Sequence, residues 1–153
     1  CITGPMDNPI CVARKNGYRQ SLENASLELD ELAIDSGDFS FHSGYSAFHR
    51  LYKQYKMTAL FCFNDMMALG AMRAAFEVGL NVPEKLSIIG YDDLPFSQYT
   101  TPQLTTIQQP QLQIGKTAMQ TLLHVLFDEK AAQDTILPTQ LLVRSSTASY
   151  SEK

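Results

Sequence analysis

The sequence predicts an α/β fold, a mainly parallel β-sheet flanked by helices, and three observations carry that expectation. Strand-like and helix-like segments alternate along the chain, the order of α/β construction. Two strand-like segments, Thr58 to Phe63 and Leu86 to Gly90, are continuous apolar runs; such runs mark strands covered on both faces. The helical segment between them carries end signals of its own, Asn64-Asp65 before it and Gly79 after it.

The elements follow in order. Cys1 to Thr3 reads as a strand end, punctuated by Gly4-Pro5. Val12 to Ala25 has helical periodicity, with Val12, Tyr18 and Leu22 apolar and Arg14, Lys15, Arg19 and Glu23 polar. Glu31 to Asp35 predicts a short strand before Gly37. Ser43 to Tyr55 predicts a helix whose stripe is Ala47, Phe48, Leu51 and Tyr55. The run Thr58 to Phe63 gives the next strand, and Met66 to Val78 a helix with Gly79 at C′ and Pro83 beyond. Leu86 to Gly90 is a strand ending in Tyr91-Asp92-Asp93, and Leu104 to Ile107 a shorter one. Pro110 to Phe127 predicts a helix with Leu112, Gly115, Met119, Leu122 and Leu126 on its stripe, and Ile136 to Ser146 a closing strand. No internal repeat or low-complexity linker interrupts the series.

Length and composition bound the function. A chain of 153 residues, 44% hydrophobic and 18% charged, is long enough for one domain with its own core. Its net charge of -4 and lack of any Lys/Arg run exclude direct grip on a phosphate backbone. The cysteines are Cys1, Cys11 and Cys62. Their odd number, without zinc-ligand spacing, points to buried thiols in a reducing, cytoplasmic compartment. No apolar stretch approaches the roughly 20 residues of a membrane span, and Cys1 to Pro5 has no signal-peptide pattern. An opening of Cys-Ile-Thr-Gly-Pro, without Met, reads as mid-strand and hence as a piece of a longer protein.

Ligands of open α/β sheets bind outside the carboxyl ends of the strands. Three polar pairs fall there: Asn64-Asp65, Asp92-Asp93 and Gln108-Gln109. Two amides and a carboxylate in one cleft suit a polyhydroxylated small molecule, because each can bond a hydroxyl. From spacing alone, each residue keeps a second explanation. Asn64 serves equally as a helix N-cap, Asp92 as a loop carboxylate, Gln109 as loop filler and Arg14 as a solvated helix face. Phe39, after Gly37-Asp38, is either core or an aromatic platform for a sugar face.

Enzyme chemistry finds no foothold, and no catalytic residue, metal or cofactor is expected. Asp92 and Asp93 are adjacent and should point opposite ways on extended backbone, poor geometry for shared acid-base work. No GxSxG, P-loop or GxGxxG pattern occurs. His42, His49 and His124 fall on helical segments without ligand partners at metal spacing.

The wording of the sequence adds a resemblance. Thr58 to Ala71, TALFCFNDMMALGA, resembles the TAVFCxNDxMAxGA segment of LacI/GalR transcriptional regulators. Val82 to Asp93, VPEKLSIIGYDD, is similar to their VPxDxSVIGYDD, and Pro102 to Pro110, PQLTTIQQP, to PxLTTIxQP. Ile2-Thr3-Gly4-Pro5, Arg14 with Gly17-Tyr18, Gly37-Asp38-Phe39 with Gly44-Tyr45, and Leu142 to Thr147 fit in order. The match runs over nearly the whole chain.

The resemblance implies a type I periplasmic-binding-protein fold, two α/β subdomains with an effector in the cleft. It implies that residues 1–107 form most of the C-terminal subdomain. Residues 108–135 would cross into the N-terminal subdomain, and 136–153 would be the closing strand and tail. The family's helix-turn-helix is not among these residues. Carried over by position, the sugar-type effector contacts are Arg14, Phe39, Asn64, Asp92 and Gln109: Arg14 and Asp92 on hydroxyls or ring oxygen, Phe39 stacking, Asn64 and Gln109 completing the hydrogen bonds. Asn8 and Ile10 stand where the nucleobase-sensing branch carries Arg and Thr, which favours a sugar over a purine. A homodimer surface is implied at Ser43, Leu69, Met72, Arg73, Phe96, Tyr99 and Thr100. Operator DNA would be a partner only through the N-terminal domain, and no membrane partner is implied. The alternative is a periplasmic-type sugar-binding protein feeding a transporter, which shares the fold; the GYDD, LTTI and VRSST wording and the unpaired cysteines favour the regulator.

Overall fold

A computed structural model describes residues 1–127 and 134–149. Portions of the expected crossing segment (128–133) and tail (150–153) lie outside the described residues.

The strands are β1 (Ile2–Thr3), β2 (Asp35–Ser36), β3 (Ala59–Phe61), β4 (Ser87–Asp92), β5 (Thr105–Gln108) and β6 (Gln140–Leu142). The helices are α1 (Pro9–Asn24), α2 (Phe41–Gln54), α3 (Asp65–Glu77) and α4 (Gln111–Phe127). β3, β4 and β5 pair in parallel, and β6 closes the edge antiparallel to β5. β1 and β2 form a parallel pair alongside, joined by a single bridge from Ile2 to Cys62. The expected parallel sheet is therefore present, with one antiparallel edge strand.

The core lies between this sheet and the α2–α3 layer. Phe48 of α2, Met67 of α3, and Ile2, Leu60, Phe63, Leu86, Ile88 and Leu104 on the sheet side are fully buried. The stripe read for α2 is the face it buries: Ala47, Phe48 and Leu51 are buried and Tyr55 packs against them. α2 and α3 cross through two glycines. A Cβ on Gly44 would overlap the Met67 backbone, and one on Gly70 would overlap that of Phe41. The helix axes come close because neither residue has a side chain.

Local signals explain the helix ends. Asn64 caps α3, its side-chain oxygen accepting from the Met67 N–H, and Ser40 caps α2 by accepting from Ser43 N–H. Gly79, at φ 72, takes the left-handed position that follows α3. α1 begins at Pro9 behind an Asn8 cap, three residues before the periodicity predicts, because Asn-Pro supplies both a cap and a preset φ.

Three expectations are corrected. Glu31 to Asp35 is not a strand; Glu31–Ala33 is a turn of 3-10 helix, nucleated by the Asp30 carboxylate accepting from Leu32 N–H, and only Asp35–Ser36 is extended. β3 and β4 are not buried on both faces. Leu60 and Ile88 point into the core, but Phe61, Ile89 and Tyr91 alternate to the α1 side and are half-buried. There they line a groove of about 630 Å³ with Ile10, Tyr18 and Ile107. Finally, the closing strand is short, Gln140–Leu142 within the expected 136–146. The apolar stripe of α4 is present but not buried: Leu112 is 90% exposed, Met119 52% and Leu126 62%.

Candidate functional site

The parallel strands all end on one side, and that end collects the polar pairs. Each pair divides. Asp65, Asp93 and Gln108 bond to structural partners, Asp92 and Gln109 bond to each other, and Asn64 is buried between the start of α3 and the Phe39 carbonyl.

The inward members hold the strand ends together. The Asp65 carboxylate is fully buried and accepts from Leu94 N–H at 2.8 Å, Ser97 Oγ at 2.5 Å and Thr106 Oγ1 at 2.6 Å. Asp93 receives Arg144 Nη2 at 2.6 Å and Gln108 Nε2 at 2.7 Å. These contacts tie the loop after β4 to α3, β5 and the returning β6 segment.

The remaining members form two small groups. In the first, Gln109 Nε2 donates to Asp92 Oδ1 at 2.6 Å, and Arg14 Nη2 stands 3.7 Å from the same oxygen. That second separation is too long for a hydrogen bond, so the ion pair is open. Arg14 Nη1 donates to the Phe63 carbonyl, and its Nε is buried without an acceptor. Its guanidinium carbon lies 3.7 Å from the centroid of the Tyr91 ring. Burial pushes the Asp92 carboxyl above the usual carboxylate range; the Gln109 amide and the Arg14 charge pull it back in part.

In the second group, Asn64 donates through Nδ2 to the Phe39 carbonyl at 2.9 Å while its oxygen caps α3. One amide does both jobs, and Asn64 is itself buried at 7% exposure. Phe39 has φ 69, a left-handed backbone that strains a bulky residue. Asn64 holds its carbonyl, and its ring lies flush against Gly4, where any Cβ would collide with it. Phe39 is half-buried and packs on the core, with part of the residue left exposed.

Thus Arg14, Asp92 and Gln109 are brought into one contact chain, Asn64 and Phe39 into another. The two meet through Phe63, whose carbonyl binds Arg14 and whose next residue is Asn64. Asp92 and Asp93 do point to different partners, as expected, but the backbone is not extended there: φ is 112 and 55. Tyr91 carries no sequence signal that marks it for the site. Strand alternation sets Tyr91 and Asp92 on opposite faces, and only the side chain of Arg14, reaching over from α1, connects them.

The surface expected at a dimer contact is mixed. Tyr99 is 78% exposed and Phe96 37%. Arg73 is exposed and pairs with Glu77 at 2.7 Å, while Leu69 is half-buried. Ser43 Oγ and Thr100 Oγ1 are occupied by local backbone bonds. Met72 is 9% exposed and belongs to this chain's own core, so it has the least to offer a partner. All three cysteines are buried free thiols. Among the described residues no cluster of His, Cys, Asp and Glu could hold a metal, and no helix is long and apolar enough to cross a membrane.

Comparison with known proteins fits this geometry. Residues 1–147 match the family described as periplasmic binding protein-like domain. The chain belongs to this family. Within it the relatives are LacI/GalR-type regulators, and the chain corresponds to their effector-binding part. It is 40% identical over 149 residues to the HTH-type transcriptional repressor CytR of Escherichia coli strain K12, covering 96% of this chain and 44% of that one. It is 42% identical over 130 residues to the repressor PurR of Aliivibrio salmonicida, covering 84% and 39%. Among solved structures, the transcriptional regulator CelR–cellobiose complex matches with a TM-score of 0.91 at 33% identity, covering 95% of this chain and 45% of that one. A sugar-binding LacI-family regulator from Escherichia coli, complexed with phosphate, matches with a TM-score of 0.87 at 32% identity over 95% and 52%. The chain thus spans less than half the length of the curated relatives it matches. Those relatives are transcriptional repressors, not enzymes.

Proposed function

We propose that this chain is the effector-sensing and dimerisation part of a LacI/GalR-type transcriptional repressor. A small sugar-like effector binds across Arg14, Phe39, Asn64, Asp92 and Gln109 and alters operator affinity of the full-length, cytoplasmic homodimer. The operator is gripped by a helix-turn-helix outside these residues. On this reading 1–107 is most of the C-terminal subdomain, 108–135 crosses to the other subdomain, and 136–153 returns. The exposed stripe of α4 supports that division, since an apolar face of this size is normally covered.

The observation that carries the effector site is the open Arg14–Asp92 pair at 3.7 Å, bracketed by the Gln109 amide. A carboxylate that burial has made costly to charge, beside a guanidinium it does not quite bond, offers an acceptor and donors to adjacent hydroxyls. The cellobiose complex of CelR, a close match in fold, supports a carbohydrate as ligand class. An effector can shift the regulator only by binding its two subdomain arrangements unequally.

The test is calorimetric titration of the intact repressor with D-glucose, D-galactose, D-ribose, cellobiose and, as the competing class, purine bases. One sugar binding in the wild type and lost in Asp92→Ala supports the reading. Binding of a purine but no sugar overturns the ligand class, and unchanged binding in Asp92→Ala overturns the site.

A further inference from the structure

Arg14 is held in an unusual way for an arginine that is only 13% exposed at its side chain. A guanidinium has five N–H donors in a fixed plane. Here the donor groups are poorly used: Nη1 meets the Phe63 carbonyl, Nη2 is 3.7 Å from Asp92, and the buried Nε meets no acceptor. What the guanidinium meets closely is an aromatic ring. The guanidinium carbon sits 3.7 Å from the Tyr91 ring centroid, near enough for direct attraction between the cation and the ring. Tyr91 is the last residue of β4 before Asp92, and its strand neighbour across the sheet is Ile107 of β5. Its backbone is therefore locked in the ladder, and its ring is a rigid shelf.

We propose that Tyr91 is a positioning residue of the effector site: its ring orients Arg14 so that the outer edge of the guanidinium stands beside Asp92. This rests on Arg14 and Asp92 being effector contacts. An arginine held against the ring keeps Nη2 free beside Asp92, whereas an arginine that bonded Asp92 through Nη2 would close the site on itself. The aromatic face is the required feature and the phenol hydroxyl is not. Leucine fills space without a π-face; phenylalanine keeps the face.

The experiment has two arms on the intact repressor. The first follows the Arg14 Nε–Hε proton by NMR, assigned by its loss in Arg14→Lys. Shielding by the ring should place it upfield in the wild type and in Tyr91→Phe, and it should return to the range of a free arginine in Tyr91→Leu. An unmoved resonance in Tyr91→Leu overturns the proposal. The second arm titrates D-glucose, D-galactose, D-ribose and cellobiose. Whichever sugar binds should do so about tenfold more weakly in Tyr91→Leu, with affinity restored in Tyr91→Phe. In an Arg14→Met background, which has no cation to meet the ring, the Tyr91→Leu change should cost little more; an equal loss in both backgrounds overturns the proposal. If no sugar binds any variant, the sugar-effector reading fails, and the resonance alone still decides what holds Arg14.

Discussion

The carboxylates of Asp92 and Asp93, one residue apart, serve different parts of the molecule. Asp92 accepts from Gln109 at 2.6 Å and faces the open side of Arg14, while Asp93 accepts from Arg144 at 2.6 Å. Two consecutive left-handed residues make the separation possible. The first carboxylate is the one proposed above as an effector contact, and the second is committed to holding the β6 return against β4. Substitutions at the two positions should therefore fail in different ways.

Arg144→Ala should destabilise the protein by about 3 kcal/mol, because it leaves Asp93 charged and 14% exposed with only Gln108 as partner. It also strips a donor from the Leu104 carbonyl. Urea denaturation measures the loss. A change below about 0.5 kcal/mol, the size of an ordinary surface substitution, would contradict the role assigned to this pair.

Asp92→Asn should behave oppositely. Burial raises the Asp92 carboxyl pKa in the folded state, so the native protein holds this proton more tightly than the unfolded chain. Stability from this group is full below the ordinary carboxylate pKa of 3.8 and is lost as pH rises through the raised value. At neutral pH the asparagine variant should melt at or above the wild type, and the difference should fade on acidification below pH 3.8. A lower melting temperature at pH 7 would show that Arg14 and Gln109 outweigh burial.

Asp38 supplies the contrasting sign. Hydrogen bonds from Ser40, and then Ser43, hold its carboxyl down at about 2. Its contribution is present above pH 3.8 and lost as pH falls toward 2. Asp38→Asn should flatten that part of the stability–pH curve; a curve still superimposable on the wild type between pH 4 and 2 would count against it.

Asn64→Asp separates the two jobs of one side chain. A carboxylate still accepts from Met67 N–H at the start of α3, but its second oxygen would face the Phe39 carbonyl in a buried site, so urea denaturation should show a loss of about 1–3 kcal/mol. It cannot donate to the Phe39 carbonyl. Phe39, left-handed and no longer held, should then relax, which a crystal structure of the variant would reveal as a shifted ring.

Most of the architecture was legible because it rests on local patterns. The Ala47, Phe48 and Leu51 stripe, the Asn64 cap and the Gly79 stop each encode a helix boundary or face within a few residues. The Asn8-Pro9 pair encodes the start of α1 just as locally, although the periodic pattern it precedes begins only at Val12. The 3-10 turn at Glu31–Ala33 competes with a strand of similar composition, and only the Asp30 side chain tips the balance. The direction of β6 depends on where the chain returns after α4, which no local pattern records. The same limit applies to the site. Strand-end placement marked Asn64, Asp92 and Gln109, but Tyr91 enters through a contact across 77 positions with Arg14.

The meshing of Gly44 and Gly70 has a mechanical consequence. Two helices whose backbones touch at two points cannot slide past each other without a clash, so α2 and α3 behave as one plate. That plate has Ser40 and Asn64 at its cleft-side rim and Ser43, Leu69 and Arg73 on its surface. A push at the rim cannot be absorbed as slippage inside the plate. Any displacement there has to be carried by both helices together.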